Sequence, residues 1–230
     1  GPSMSLPILA LRQGECGGAS MDFSSRRFAG LVAAWLVFLA LPARPAVAQL
    51  LGPEFQVNSY TTFDQRHAAV AADDAGNFVV VWQSQGQDGH FLGVFGQRFD
   101  VTGRPLGTEF CVHADTSEHG AIPSVAMRGA GDFVVAWEGG RQGDFYSGIF
   151  GQRYDALGAA VQSGFQINTY TETHESEARV ATDDAGSFLV VWAGAFQDGS
   201  LSGIFGRHFD DAGFPSRGEF RVNSYTTDYQ

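Results

Sequence analysis

Phe55, Phe110, Phe165 and Phe220 stand 55 residues apart. The same step separates Trp82, Trp137 and Trp192, then Gly96, Gly151 and Gly206, then Asp100, Asp155 and Asp210. Segments 54–108 and 164–218 align without a gap, with 26 identities in 55 positions. A fixed period of this size marks a propeller, a solenoid or an array, in which one structural unit is copied and stacked.

Every local signal inside the unit is β. Residues 67–73 are small and apolar, and residues 77–84 (NFVVVWQS) combine β-branched and aromatic side chains. Residues 93–100 alternate two faces, and residues 109–113 (EFCVH) make a fourth short segment. Turn residues separate them, as in Asp74-Ala75-Gly76-Asn77 and Gln87-Asp88-Gly89. Four antiparallel strands, A to D, in each repeat predict an all-β fold of β-propeller-type blades. Solenoid coils are usually shorter, and a sandwich needs no such period. The small first strand suits a crowded innermost position. Trp82, Trp137 and Trp192 each close an apolar B strand, which favours blade packing over ligand stacking.

The blades read D, ABCD, ABCD, ABCD, so residues 54–58 (EFQVN) form a surplus leading strand. Propeller rings usually hold 4–8 blades. Three would leave two apolar flanks, which predicts completion by assembly of the chain with itself, as a dimer or larger species, or by further sequence.

Three regions are expected. Residues 1–20 hold a tag scar and an upstream segment. Residues 21–48 have the layout of a signal peptide: Arg26-Arg27, the apolar run from Phe28 to Leu41, and Ala46-Val47-Ala48. That run is shorter than the ~20 residues a membrane span needs. Met21 fits the start of this layout better than Met4. Residues 49–230 form the three-repeat domain. Secretion, or a periplasmic or cell-surface location, is therefore expected, with no membrane insertion after cleavage. The domain carries ten arginines, no lysine and 23 acidic residues, a formal charge of −13. Such a surface disfavours nucleic acid and would attract cations. Cys111 alone remains in this domain, so no disulfide forms within it; it reads as a small packed residue.

The pattern EFQVNSYTT…DDAGNFVVVWQSQGQDG…GVFGQRFDVTG…GTEF resembles a tandem repeat of large secreted bacterial proteins, many of which also carry hemolysin-type calcium-binding segments. The resemblance covers residues 52–230 and implies an extracellular propeller-like protein with adhesive or surface roles. The nonapeptide arrays of those proteins are missing from this sequence, so their calcium roll is not implied.

No catalytic constellation stands out. There is no G-x-S-x-G, H-E-x-x-H or P-loop, and the six histidines fall at scattered repeat positions. A non-enzymatic binding module is expected. In an up-and-down blade the B–C and D–A loops open on one face. That face gathers Tyr60, Gln87, Asp88, Gln142, Asp144, Tyr146, Tyr170, Gln197 and Asp198, with Phe91 and Phe196. Amides, carboxylates and aromatic rings together suit a carbohydrate; plain turn chemistry explains the Asp-Gly pairs equally. On the opposite face Asp73-Asp74 and Asp183-Asp184 could hold calcium, although hairpin chemistry again suffices and the middle repeat has Arg128-Gly129 there. The alternative function is a structural or adhesive module that self-assembles at the cell surface or in the matrix.

Overall fold

The structure, a computed structural model, describes residues 54–89, 91–113, 118–141, 147–199 and 201–225. The signal-peptide layout lies outside them. Among the described residues the three repeats form three four-stranded antiparallel sheets and no helix. The first blade comprises β1 (Gln65–Ala72), β2 (Phe78–Ser84), β3 (Gly93–Phe99) and β4 (Phe110–Cys111). The second comprises β5 (Glu118–Met127), β6 (Phe133–Arg141), β7 (Gly148–Tyr154) and β8 (Phe165–Gln166). The third comprises β9 (Glu175–Thr182), β10 (Phe188–Ala195), β11 (Ser202–Phe209) and β12 (Phe220–Arg221). Strands follow chain order in each sheet, and the register repeats: Trp82 faces Phe95, Trp137 faces Phe150 and Trp192 faces Phe205.

Side chains alternate across each B strand, so one strand serves two neighbours. Val79, Val81, Val94 and Val112 of the first blade pack on Phe133, Val135, Trp137 and Tyr154 of the second. Val134, Ala136, Ile149 and Ile167 of the second pack on Phe188, Val190, Trp192, Phe205 and Phe209 of the third. Trp82, Trp137 and Trp192 are 3%, 3% and 1% exposed. Burying ~150–250 Å² each, they contribute up to roughly 4–6 kcal/mol apiece at ~25 cal/mol/Å².

Three features depart from the strand pattern the sequence suggests. First, the D strands shrink to two residues. The ladder takes one more rung, from Val112 N–H to Val94 O at 2.8 Å and its counterparts at Ile167 and Val222. A side chain then replaces the backbone: Asn168 Oδ1 accepts from Ile149 N at 2.9 Å, and Asn223 Oδ1 accepts from Ile204 N at 2.8 Å. Second, the irregularity in each blade lies in the A strand, where the register slips. His67, Ile122 and Glu177, at equivalent positions, have φ of 53°, 48° and 55°. The third-strand glycines provide close approach. A Cβ on Gly96 would lie 2.6 Å from the Phe110 ring, and Gly151 and Gly206 face Phe165 and Phe220 in the same way.

Third, residues 54–58 form no strand, and among the described residues no C strand stands beside them. They are nonetheless seated. Phe55 packs on Phe99 at 5.5 Å between ring centroids, as Phe165 packs on Phe209 at 5.5 Å. Val57 joins Val80, Trp82, Phe95 and Phe99. The leading segment thus covers the first blade as the D segment of a preceding blade would.

Arginines add a second link between blades. Arg98 donates to Leu157 O and, at 2.6 Å, to Ala156 O, while Arg153 donates to Asp211 O. The third blade has His208 at this position, stacked on Phe220.

Candidate functional site

The B–C and D–A loops share one end of the blades. Gln85 N–H donates to Asp64 O at 3.0 Å, and Ala195 N–H donates to His174 O at 3.0 Å. A Cβ on Gly86 would meet the Phe63 ring at 3.2 Å and the Tyr60 hydroxyl at 3.6 Å.

Several polar groups foreseen as ligand-binding serve this loop framework. Gln87 Nε2 donates to Glu109 at 2.8 Å, and Glu109 also accepts from Ser59 N–H. In the third blade Gln197 donates to Glu219, which accepts from Thr169 N–H and Oγ1 at 2.9 Å each. Asp88 and Asp198 turn inward against Gly93 and Gly203. The Asp198 side chain is 1% exposed and lies 3.9 Å from Arg221 Nη1. Tyr60 and Tyr170 are half-buried. Gln142, Asp144 and Tyr146 lie outside the described residues.

What this end presents to solvent is aromatic. Phe63, Phe91, Phe196 and Tyr225 are 60–68% exposed. Phe63 and Phe196 also have left-handed backbones, with φ of 58° and 56°. A bulky residue pays for that conformation on the order of 1 kcal/mol, and an exposed ring recovers little by burial. The sequence reading placed Phe91 and Phe196 here, but nothing in the local pattern separates an outward Phe63 from a packed one.

A second feature lies at the seam between the second and third blades. Glu175 is fully buried, its N–H donating to Ser147 O at 3.1 Å. Burial, reinforced by the Glu219 charge, lifts its carboxyl to about 8, partly offset by the Trp192 indole and the Thr173 hydroxyl. Glu175 Oε2 and Gln197 Oε1 converge above Gly194, at 2.6 and 2.9 Å from where a Cβ would stand, and neither has a hydrogen bond of normal geometry. A protonated Glu175 carboxyl has an O–H to donate at this point. Ser147 Oγ lies 3.0 Å from Glu175 O and 3.3 Å from His174 Nδ1. Half-buried Glu138 is raised by burial, an effect opposed by Ser147 and His174 and assisted by Glu177. The sequence reading missed this cluster. Its only signal is departure from the repeat: Gln65 and Gly120 occupy the Glu175 position, and Gln83 occupies that of Glu138.

A groove of about 370 Å³ lies on the outer flank of the first blade, where Trp82, Val80 and Val57 meet Asn58, Gln65, Arg66 and His67. At the equivalent places in the next two blades the preceding blade intrudes, through Leu92 O bonded to Gly120 N and Ser147 O bonded to Glu175 N.

On the opposite face both Asp73 oxygens are engaged at 2.8 Å, by Asn77 N–H and Nδ2. Burial opposes ionisation of Asp73, but these bonds outweigh it and hold the carboxyl low. Asp183 Oδ1 accepts from Ser187 N, Asp74 N–H donates to Gly129 O, and Asp184 O accepts from Arg128. Asp73, Asp74, Asp183 and Asp184 therefore act as turn and seam residues. Among the described residues they join no group of three or more metal-ligating side chains; the one such group is Asp88, Cys111 and His113.

No family model matches the chain, and no curated protein matches it. Among solved structures it is similar to the Hadza microbial sialidase Hz136, with a TM-score of 0.51 and 10% identity over 69% of this chain and 37% of that one. An endo-arabinase from Bacteroides thetaiotaomicron aligns with a TM-score of 0.39 and 12% identity, over 72% of this chain and 58% of that one. The chain thus spans about a third of the sialidase's length. Sheet topology, blade packing and the first of these likenesses together define an all-β protein of β-propeller type.

Proposed function

We propose that the chain is a non-enzymatic, extracellular β-propeller-type binding module that takes a carbohydrate or another extracellular ligand on its B–C/D–A loop face. The observation that carries this reading is the set of outward aromatic rings there, two of them on left-handed backbones. Aromatic faces stack on the C–H face of a sugar ring, while loop amides, hydroxyls and carboxylates address its rim. A glycan array followed by calorimetric titration tests it. Phe63→Ala and Phe196→Ala should each weaken binding of the selected glycan without lowering the melting temperature. An array without hits defeats the carbohydrate reading, and affinity indifferent to both substitutions defeats the assignment to this face.

A second reading, self-assembly as a structural or adhesive module, is favoured by the last flank. Val222 is 53% exposed, whereas its counterparts Val112 and Ile167 are 3% and 0% exposed beneath the following blade. Light scattering at micromolar concentration should then show a dimer or larger species; a stable monomer overturns this reading.

A further inference from the structure

We propose that Asp88, Cys111 and His113 form a zinc site on the first blade. One oxygen, one sulfur and one nitrogen of these side chains lie within 4.8 Å of one another, close enough for small side-chain movements to bring them round one ion. Cys111 ends β4 and His113 follows two positions later, so the period-2 alternation of an extended chain sets both on one side. Asp88 arrives from the B–C loop of the same blade.

The repeat itself provides the control. Positions Cys111 and His113 correspond to Gln56 and Asn58, to Gln166 and Asn168, and to Arg221 and Asn223. Asparagine suffices for the architecture, since Asn168 and Asn223 cap the third strand of their blades. His113 preserves that contact only loosely, with Nε2 3.3 Å from Val94 N. The imidazole offers one ring-nitrogen lone pair to the ion. Two substitutions in one blade thus exchange a polar pair that builds the fold for a thiol and an imidazole beside a carboxylate.

The donor set selects the ion. Thiolate and imidazole favour a borderline-soft metal such as zinc over calcium or magnesium, which prefer all-oxygen shells. Charge balances as well: one thiolate and one carboxylate neutralise a divalent ion, which matters because His113 is only 5% exposed. Cys111 is solvent-accessible and offers an entry path. At present its Sγ donates to His113 O at 3.0 Å. Binding breaks that S–H bond, forms the Zn–S bond and releases the proton to water, with no change of oxidation state. Three protein ligands leave the fourth position to water or to an incoming group.

The test uses the full chain after removal of metal with a chelator. Zinc titration should show one ion per chain, and cobalt(II) should give the near-ultraviolet thiolate-to-cobalt charge-transfer band. Cys111→Gln and His113→Asn restore residues of the other blades, so the metal-free variants should melt with the wild type. Each should lose affinity by more than the roughly 10–100-fold typical of a supporting residue, and Cys111→Gln should abolish the band. Zinc should also slow alkylation of Cys111 in the unmodified protein, a readout that needs no variant. No charge-transfer band together with unprotected alkylation overturns the site, as does zinc affinity unchanged in both variants, which would place the ion on the acidic surface.

Discussion

Replacing Glu175 by glutamine should stabilise the protein, increasingly so as pH rises. In the folded chain the carboxyl is fully buried and lifted from an ordinary 4.5 to about 8. An acid whose folded value is raised contributes fully below its unfolded value, and that contribution is lost as pH rises through the folded value. Between pH 4.5 and 8 the unfolded chain ionises Glu175 while the folded chain holds the proton, so folding must take one up. The cost grows by ~1.4 kcal/mol per pH unit, giving a ceiling of about 3 kcal/mol at neutral pH. Residual access of water to the loop end lowers the realised figure to on the order of 1–2 kcal/mol. Glutamine removes the titration, keeps the shape and brings an N–H donor towards Gln197 Oε1; the first blade already has Gln65 at this position. Urea unfolding of both proteins at pH 4, 6, 8 and 9 isolates the effect, since the other titrating groups are common to both. The stability difference should be near zero at pH 4, grow to pH 8 and then level off. A pH-independent difference, or a variant less stable at pH 8, would refute the neutral buried carboxyl.

Trp137→Ala should cost about 3–5 kcal/mol, read by thermal or urea unfolding, because the indole fills the first seam; an unchanged melting temperature would contradict its burial. Gly96→Ala forces a methyl group towards the Phe110 ring and should cost on the order of 1–3 kcal/mol in the same assay, whereas Gly199→Ala should cost only its left-handed backbone penalty, since open space surrounds it. Asp155→Ala removes the acceptor for Leu157 N–H at 2.9 Å and Ala159 N–H at 2.8 Å and should lower stability by about 1–2 kcal/mol. A negligible change would show that water replaces this turn cap.

The blade was legible because its determinants are periodic. Phe, Trp, Gly and Asp recur at one step, and the structure explains each: Trp137 fills a seam, Gly96 admits the Phe110 ring, and Asp155 caps a turn. The A-strand bulge was not legible, because His67, Ile122 and Glu177 share a backbone conformation but no chemistry. Glycine, the usual sign of a positive φ, is absent there. The short D strand was hidden for a related reason: a side-chain amide continues the ladder, and asparagine in a strand-like run gives no sign of it. The loop face was legible as a collection of residue types and not as an arrangement. Gln87 and Gln197 turn inward to carboxylates more than twenty residues away, a pairing that local spacing does not announce.

The arginine links between blades end on main-chain carbonyls. Arg98 grips the backbone of Ala156 and Leu157, and Arg153 that of Asp211. The receiving turns differ in sequence but share a backbone held by a capping aspartate, Asp155 in one and Asp210 in the other. Each unit is therefore recognised by the path of its chain, whatever side chains that path carries. Unequal crossing-over between gene segments can lengthen or shorten such a protein by whole units, and a unit that carries the arginine, as the first two do and the third with His208 does not, brings its half of this link to a new junction. Turn residues are left to drift towards whatever the surface requires.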